Sequence, residues 1–443
     1  MLDARNAKQV TLEVWTDRLD VQLTAGITPL DTIAAQQAGV TRPALPDWTS
    51  TGAVVGLQGG TDEVRRQVAS LREAGTEISG VWLQDWSGRR TTDFGDRLWW
   101  TWQLDEDRYP DWEDLVADLA ADGIRTTTYV NAFLVDAAPK GDPGIRNLFA
   151  EARDAGYLVQ DEAGETYLLN QGGFDAALVN LTNPDAQDWY AQVIAEEVLT
   201  DGVVGFMADF GEGLPFDAMI ADGTAELAHN RWPLLWAQTV RRACEIAEQP
   251  DCVTWFRTGS LGMDEFTPMF WAGDQVVDWS DEDGIRSALR GMLAGSVSGW
   301  PLVHSDVGGY TSINAVVRDY VRSEELLARW GEMEAFGVMM RTHEGNRPAA
   351  NLQVSSTDST RESLAHATRI YAALGDYRRA LVDEALATGV PALRPMWVGA
   401  PGTDAATAED QFFLGSSVLV APVLDPGRFR WRCPCRPGSG RTC

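Results

Sequence analysis

The chain has 443 residues, of which 44% are apolar and 23% are charged, a balance typical of a folded globular protein. Its length exceeds that of one ordinary domain and suits a large barrel with a smaller flanking unit. A net charge of −29 repels phosphate backbones and excludes a nucleic-acid partner, and the lack of an apolar run of about 18 residues excludes a membrane span.

Residues 1–55 predict the remnant of an N-terminal β-sandwich domain, because TLEVW and LDVQLT have the composition of strands. The first ten residues, MLDARNAKQV, mix acidic and basic side chains and lack the apolar segment of a secretory signal. We therefore expect a cytoplasmic protein.

From about residue 78, β-rich apolar runs alternate with amphipathic segments, the pattern of a parallel sheet covered by helices. The runs occupy residues 78–86, 124–133, 177–182, 203–210, 252–259, 269–275, 300–309 and 337–345. Helices are predicted at 110–123, 183–202 (with Asn183 as N-cap), 282–296, 312–333 and 357–375. The fold class is therefore α/β, with a (β/α)8 TIM barrel over residues 56–385. A doubly wound open sheet is the alternative, but no glycine-rich phosphate turn opens a helix.

The C-terminal part of the chain changes character twice. Residues 386–427 contain the strand-like runs VPALRPMW and QFFLGSSVLVAPVL, and we interpret them as the start of a truncated C-terminal β-domain. Residues 428–443, RFRWRCPCRPGSGRTC, have no acidic residue and no periodicity, and we interpret them as an aberrant tail, such as a shifted reading frame would produce. Cys244 and Cys252 are predicted to be ordinary buried thiols. The barrel thus has partial β-sandwich flanks at both ends.

Polar side chains cluster at the C-terminal ends of the predicted strands, where the active sites of such barrels lie. They are Gln84, Asp85, Asp209, Arg257, Asp274, Asp306, Arg341 and His343. Two of them, Asp209 and Asp274, end apolar strands and match the need of glycosidic hydrolysis for one nucleophilic and one proton-donating carboxyl group. A single aspartate after a strand most often caps the next helix, but that explanation does not account for the whole set.

Other residue types narrow the class of chemistry. The chain has 18 tryptophans, and indole rings stack on the apolar faces of sugars, although many of these side chains will pack in the core. Only four histidines occur, none is paired at metal-ligand spacing, and no G-x-G-x-x-G follows a strand. We therefore expect no metal and no cofactor. No G-x-S-x-G motif is present, which excludes a serine hydrolase of that type.

Four segments, GFMADFGEGLP, WAGDQVVDWS, HSDVGGYT and MMRTHEGNRP, together resemble glycoside hydrolase family 31 and, more closely, its sulfoquinovosidase branch. The resemblance covers roughly residues 55–425. It implies that Asp209 is the nucleophile and Asp274 the acid/base of a retaining α-glycosidase. It also implies that Arg257, Asp306, Arg341 and His343 belong to the substrate-binding set. Asn180 stands where the resemblance leads us to expect aspartate.

The segment QDWSGRRTTDFGDRLWW carries the resemblance to the sulfoquinovosidase branch. It implies that the residues that recognise the sulfonate are Gln84, Arg97, Trp100 and, farther on, Tyr310. The physical reason agrees, because a carboxylate at position 84 would repel a permanent sulfonate anion whereas an amide does not. A guanidinium such as that of Arg97 can bind two sulfonate oxygens, although a lone arginine in a loop is more often solvated.

Three functions follow as alternatives. The first is hydrolysis of α-sulfoquinovosides, such as sulfoquinovosyl glycerol or a deacylated sulfolipid, to release sulfoquinovose. The second is a neutral-sugar α-glucosidase or α-xylosidase on the same barrel, and the third is a catalytically inert sugar-binding fragment. The expected partner is a small sugar substrate, with no nucleic acid and no membrane. The oligomeric state stays open, with a homo-oligomer as one alternative.

Overall fold

The structure is a computed structural model, and it describes residues 2–6, 9–13, 21–92, 95–142, 144–314 and 319–428. The predicted tail lies outside the described residues except for Arg428. Of the first strand predicted near the N-terminus, TLEVW, only Thr11 and Leu12 belong to a strand, Gln9–Leu12, which forms a hairpin with Leu2–Asn6. Glu13 carries no strand, and residues 14 and 15 lie outside the described part. Within LDVQLT, residues 21–24 are described and carry no strand, while residues 19 and 20 lie outside the described part.

The centre of the fold is a parallel barrel with eight strand positions. They are β1 (Ala53–Leu57), β2 (Ile78–Leu83), β3 (Arg125–Asn131), β4 (Val203–Asp209), β5 (Val253–Phe256), β6 (Met269–Trp271), β7 (in two pieces, Val303–His304 and Asp306–Val307) and β8 (Arg341–Thr342). The first piece of β7 pairs with β6 and the second with β8, so the sheet closes on itself across Ser305. The (β/α)8 prediction is therefore confirmed.

Ser305 interrupts β7 because a side chain takes over its backbone hydrogen bond. Its N–H donates to Oε1 of Glu334 across 3.2 Å, and Trp330 donates from Nε1 to the Ser305 hydroxyl oxygen across 3.0 Å. Glu334 and Trp330 lie on the helix that follows β7 and are fully buried. Burial raises the pKa of Glu334 to about 8.

One predicted barrel strand was wrong. Residues 177–182 lie outside the barrel, where Asp175–Leu178 pairs antiparallel with Phe133–Leu134 and with Leu169–Asn170. The eighth strand of the barrel is instead β1, which pairs with β8 and β2. It crosses the domain boundary that was predicted between residues 55 and 56. Both runs are short and apolar, so their composition does not reveal which sheet each one joins.

Helices cover the outside of the barrel. Those that follow the barrel strands are Thr61–Glu73, Trp112–Ala121, Pro184–Glu197, Trp232–Ile246, Ile285–Ser296, Glu324–Glu334 and Asp358–Ala373. Asn183 caps the third of these by accepting from the N–H of Asp185 at 3.0 Å, as predicted. The helix predicted over 312–333 begins only at Glu324, because Ser323 caps it there by accepting from the N–H of Leu326. After β5 the described chain has a short 3-10 turn, Met263–Glu265, in place of a helix.

The remaining elements lie in loops and at the two ends. The helices are Pro29–Gln36, Leu148–Asp154, Ala225–Ala228, Gly375–Thr388 and Met396–Gly399, and the 3-10 turns are Asp47–Ser50, Ala138–Lys140, His229–Arg231 and Asp404–Thr407. Leu393–Pro395, Phe412–Leu414 and Val418–Val420 form the antiparallel sheet expected in the C-terminal part. After β2, Arg89–Thr92 and Gly95–Leu98 form a hairpin. No helix of the described residues has the length and apolar character needed to cross a membrane.

The prediction of two free thiols was wrong, because Cys244 and Cys252 form a disulfide. Cys244 lies near the end of helix Trp232–Ile246, and Cys252 comes immediately before β5. The short connection between these two elements brings the Cα atoms to 5.9 Å, a distance that a disulfide spans.

Candidate active site

A pocket of about 270 Å³ opens at the C-terminal ends of the barrel strands. Every residue predicted for the site lines it except Asp85, Asp306 and Arg341, and Asp85 is instead buried against Arg108 and Tyr109. The lining members of the predicted set are Gln84, Arg97, Trp100, Asp209, Arg257, Asp274, Tyr310 and His343. Residues that follow different strands thus meet at one mouth, as the barrel geometry requires.

Asp209 ends β4 and is held by three donors. Oδ1 accepts from the N–H of Phe210 at 2.8 Å and lies 3.3 Å from Nε of Arg257, while Oδ2 accepts from the Tyr129 hydroxyl at 2.6 Å. Burial, and then the Asp209 charge, raise the pKa of Tyr129, so that its hydroxyl stays protonated and remains a donor. With only 7% of its surface exposed, Asp209 is an ionisable group of fixed orientation facing a small cavity.

Arg257 follows β5 and connects the two candidate catalytic carboxylates. Besides Asp209, its guanidinium reaches Oδ2 of Asp274 from Nη1 at 3.0 Å and Oε1 of Glu212 from Nε at 3.0 Å. Burial lowers the pKa of Arg257, but the charges of these three carboxylates more than offset it and raise the pKa overall. One guanidinium is therefore shared by three carboxyl groups, and its single positive charge cannot neutralise all three of them.

Asp274 follows β6, and its ionisation differs from that of an ordinary aspartate. Burial, followed by the negative charge of Asp209, raises the pKa of Asp274 to about 7, although Arg257 acts in the opposite direction. About a third of the side chain, 34%, is exposed, so a ligand in the pocket can reach it. A carboxyl group that holds its proton near neutral pH can act as a general acid.

Asp306 and Arg341 do not line the pocket. Both side chains are fully buried beneath its floor, where Nη2 of Arg341 binds Oδ1 of Asp306 and Nε lies 3.2 Å from Nε2 of His304. The Arg341 guanidinium is 4.8 Å from the ring of Trp82, which in turn packs edge-on against His343 at 4.7 Å. Their predicted contact with substrate stays a prediction, and their position supports the residues that do face the cavity.

The same pocket carries the residues predicted to bind a sulfonate. Oε1 of Gln84 accepts from Nε2 of Gln58 at 3.3 Å, and Arg97 donates from Nη2 to the carbonyl of Gln171 at 3.0 Å. Within the described part of the chain, no carboxylate forms an ion pair with Arg97. Trp100 is held in place by ring contacts with Phe133 at 5.5 Å, Phe174 at 5.1 Å and Phe210 at 5.4 Å.

Several residues of the site were not predicted from the sequence. Gln58 and Tyr129 line the pocket, and Glu212 contacts Arg257. Those that line the pocket besides Gln58 and Tyr129 are Arg89, Asp96, Leu98, Met207, Phe210, Gly345, Asn346 and Pro348. Gln58 follows β1, the strand that the sequence pattern did not reveal. Glu212 stands three residues after Asp209 in ADFGEG, so its position within that motif was the available signal.

Comparison with known proteins gives consistent matches. A sequence model described as the TIM-barrel domain of glycosyl hydrolases family 31 matches residues 43–378, and one for the C-terminal domain of that family matches residues 389–433. A sulfoquinovosidase from Agrobacterium fabrum is 39% identical over 447 residues, which cover 99% of this chain and 65% of that protein. A sulfoquinovosidase from Escherichia coli is 36% identical over 424 residues, covering 95% of this chain and 61% of that protein.

Solved structures agree with this fold. A family 31 sulfoquinovosidase from E. rectale, in complex with an aza-sugar inhibitor, superposes with a TM-score of 0.86 at 35% identity, covering 92% of this chain and 60% of that one. A family 31 α-xylosidase from a soil metagenome superposes with a TM-score of 0.75 at 21% identity and covers 91% of this chain, which shows the shared fold alone. This chain spans less than two thirds of the length of these sulfoquinovosidases.

Proposed function

The chain belongs to glycosyl hydrolase family 31, and from that premise we propose that it carries the active site of a retaining α-glycosidase that hydrolyses α-sulfoquinovosides. Its substrates are sulfonated glycosides such as sulfoquinovosyl glycerol or a deacylated sulfolipid, and its product is sulfoquinovose. The observation that carries the sugar specificity is Arg97, which lines the pocket without a carboxylate partner among the described residues. The relatives named as sulfoquinovosidases support the same substrate class.

The reaction is a double displacement through Asp209 and Asp274. A carboxylate oxygen of Asp209 attacks the anomeric carbon while Asp274 transfers its proton to the glycosidic oxygen, so the bond to the leaving alcohol breaks and a glycosyl ester forms. Asp274, now ionised, takes a proton from water as that water attacks the same carbon. The ester bond breaks, Asp209 leaves as a carboxylate, and the sugar departs with its original anomeric configuration.

The charges of the pocket support a sulfonated rather than a neutral sugar. Gln84 presents an amide where a carboxylate would repel a sulfonate. Asp96 also lines the pocket but pairs with Arg89, which leaves Arg97 as a cation without an ion-pair partner among the described residues. A neutral hydroxyl group would leave that cation without a counter-charge, whereas a sulfonate would pair with it. An α-glucosidase or α-xylosidase is the alternative that this argument disfavours.

The test compares two chromogenic substrates, an α-sulfoquinovoside and the matching α-glucoside, with the Asp209→Asn variant as the blank. We expect turnover of the sulfoquinovoside to exceed that of the glucoside, with the α-anomer as the first product in a proton NMR time course. A preference for the glucoside would support the neutral-sugar alternative. Turnover of neither, together with binding of sulfoquinovose, would support the inert fragment.

The division of the chain is proposed on the same basis. The catalytic barrel, predicted over residues 56–385, begins with β1 at Ala53, and residues 386–427 begin the C-terminal β-domain. The two family matches, over residues 43–378 and 389–433, support the second boundary. The origin of residues 1–55 as a β-sandwich remnant and the aberrant nature of residues 428–443 stay predictions. So do the cytoplasmic location and a homo-oligomeric state.

A further inference from the structure

The hairpin that follows β2 places two arginines directly opposite each other. In its antiparallel register Arg90 pairs with Arg97, so the two side chains lie on the same face of the hairpin. Like charges at such positions destabilise a hairpin. On the other face the same hairpin does neutralise its charge, because Arg89 forms an ion pair with Asp96 at 2.5 Å. The uncompensated pair is therefore a local feature of the face that carries Arg97.

Arg90 has an unusual environment for a cation. Its Cζ atom lies 4.1 Å from the centre of the Trp99 ring and 3.5 Å from that of Phe174. Its Nε and Nη2 atoms are buried, and neither has a hydrogen-bond partner among the residues that the structure describes. The chain has 65 acidic residues against 36 lysines and arginines, so a carboxylate partner would be easy to supply. The aromatic faces stabilise the guanidinium but do not cancel its charge.

The charge of Arg90 persists at neutral pH and is felt by Arg97. Burial, and then the positive charge of Arg97, lower the pKa of Arg90 to about 10, which still leaves it protonated. Two cations of like sign on one face of the hairpin, of which Arg90 has buried nitrogens without hydrogen-bond partners among the described residues, raise the free energy of the empty pocket. An anion placed at Arg97 relieves that repulsion, whereas a neutral group of the same shape does not.

We propose that Arg90 is a positioning residue that determines specificity for anionic sugars, acting on the ligand through Arg97 and through the packing of Phe174 on Trp100. It does not line the pocket, so it contributes positive potential rather than contact. The inference rests on the proposed function, because it takes the bound anion to be the sulfonate of the substrate. It adds a second cation to the residues predicted to recognise the sulfonate, among which the sequence pattern indicated only Arg97.

The experiment uses Arg90→Met, which keeps an apolar stem between the rings, and Arg90→Lys, which keeps the charge. Arg66→Met removes one exposed arginine from helix Thr61–Glu73 and serves as the matched control. The measured quantity is kcat/KM for the chromogenic α-sulfoquinovoside divided by kcat/KM for the matching α-glucoside, at low and at high salt. The melting temperature of each ligand-free variant is measured beside it.

We expect Arg90→Met to lower this ratio on the order of tenfold at low salt and by less at high salt, with no fall in the melting temperature. Arg90→Lys should stay near the wild-type ratio, and so should Arg66→Met. An unchanged ratio in Arg90→Met would overturn the inference, as would an equal loss on both substrates accompanied by a lower melting temperature. A wild type that prefers the glucoside would overturn the proposed function and this inference with it, a result distinguishable from failure of the inference alone.

Discussion

Nη1 of Arg257 lies 3.0 Å from Oδ2 of Asp274, yet the pKa of that carboxyl group is raised to about 7. An arginine at this distance normally lowers the pKa of its partner. Here the same guanidinium is shared with Asp209 and Glu212, so its positive charge is largely neutralised before it acts on Asp274. Burial and the Asp209 charge then dominate, and the acid of the proposed reaction keeps its proton near neutral pH.

The raised pKa predicts the pH dependence of the reaction. Because only protonated Asp274 can donate to the glycosidic oxygen, kcat/KM should fall as the pH rises through about 7 for substrates with a poor leaving group. In Asp274→Asn, a substrate with an activated leaving group should show no such basic limb. A limb that persists unchanged in this variant would mean that another residue is the acid.

Asp209→Asn should abolish turnover, because an amide cannot attack the anomeric carbon. Binding of sulfoquinovose should remain close to that of the wild type, since the amide keeps the shape of the carboxyl group. Asp217→Asn, on the exposed loop that follows β4, is the control and should retain full activity. Purified Asp209→Asn that keeps more than a small fraction of wild-type turnover would contradict the assignment.

Glu212→Gln tests the sharing of Arg257. Removing this charge frees the guanidinium to act on Asp274 and also removes a nearby negative charge, and both changes lower the pKa of Asp274. The basic limb of the pH profile should therefore move to lower pH, with kcat/KM about three- to tenfold lower on the alkaline side and little changed on the acidic side. A uniform loss at every pH would indicate a structural role instead.

Arg97→Ala should remove the preference for the sulfonated substrate. Loss of one partner of a buried charge pair typically costs about 2–5 kcal/mol, and here that loss should fall on transition-state binding of the sulfoquinovoside. The glucoside should be scarcely affected, because its 6-hydroxyl group carries no charge. Arg97→Lys should restore part of the preference, since it returns the charge without the two-pronged geometry. Equal weakening of both substrates would show that Arg97 does not bind the sulfonate.

The eight-stranded barrel was predictable because its strands and helices alternate and because polar residues recur where strands end. The prediction of which runs are barrel strands failed where two runs of the chain have similar composition. Both β1 and residues 177–182 are short and apolar, and only their hydrogen-bonded partners distinguish a barrel strand from one in a side sheet. Gln58 was missed for the same reason, since it becomes a candidate only when β1 is known to be in the ring.

The sequence also did not predict which strand-end side chains face the pocket and which are buried. Asp306 and Arg341 have the residue types and the strand-end positions of pocket residues, but their side chains are fully buried, pair with each other and do not line the pocket. Glu212 reaches Arg257 through a tight turn in which Phe210 and Gly211 have positive φ, 61° and 113°, a conformation that the residue pattern did not indicate. The direction in which a side chain points depends on strand register and on local backbone geometry rather than on composition.

The ring of strands closes within β7, whose two pieces on either side of Ser305 pair with β6 and with β8, and we call this break the seam. Each side of that seam is joined by two registered residue pairs, as β5 and β6 are, whereas β8 and β1 share one and β3 and β4 share five. Glu334 and Trp330 of helix Glu324–Glu334 add hydrogen bonds to Ser305 at this seam. We therefore expect β7 and that helix to open together as one cooperative unit in hydrogen exchange. Asp274 follows β6, which shares two registered pairs with each of its neighbours, while Asp209 ends β4, which shares five with β3 and three with β5. The acid of the proposed reaction would therefore lose its fixed position before the nucleophile does.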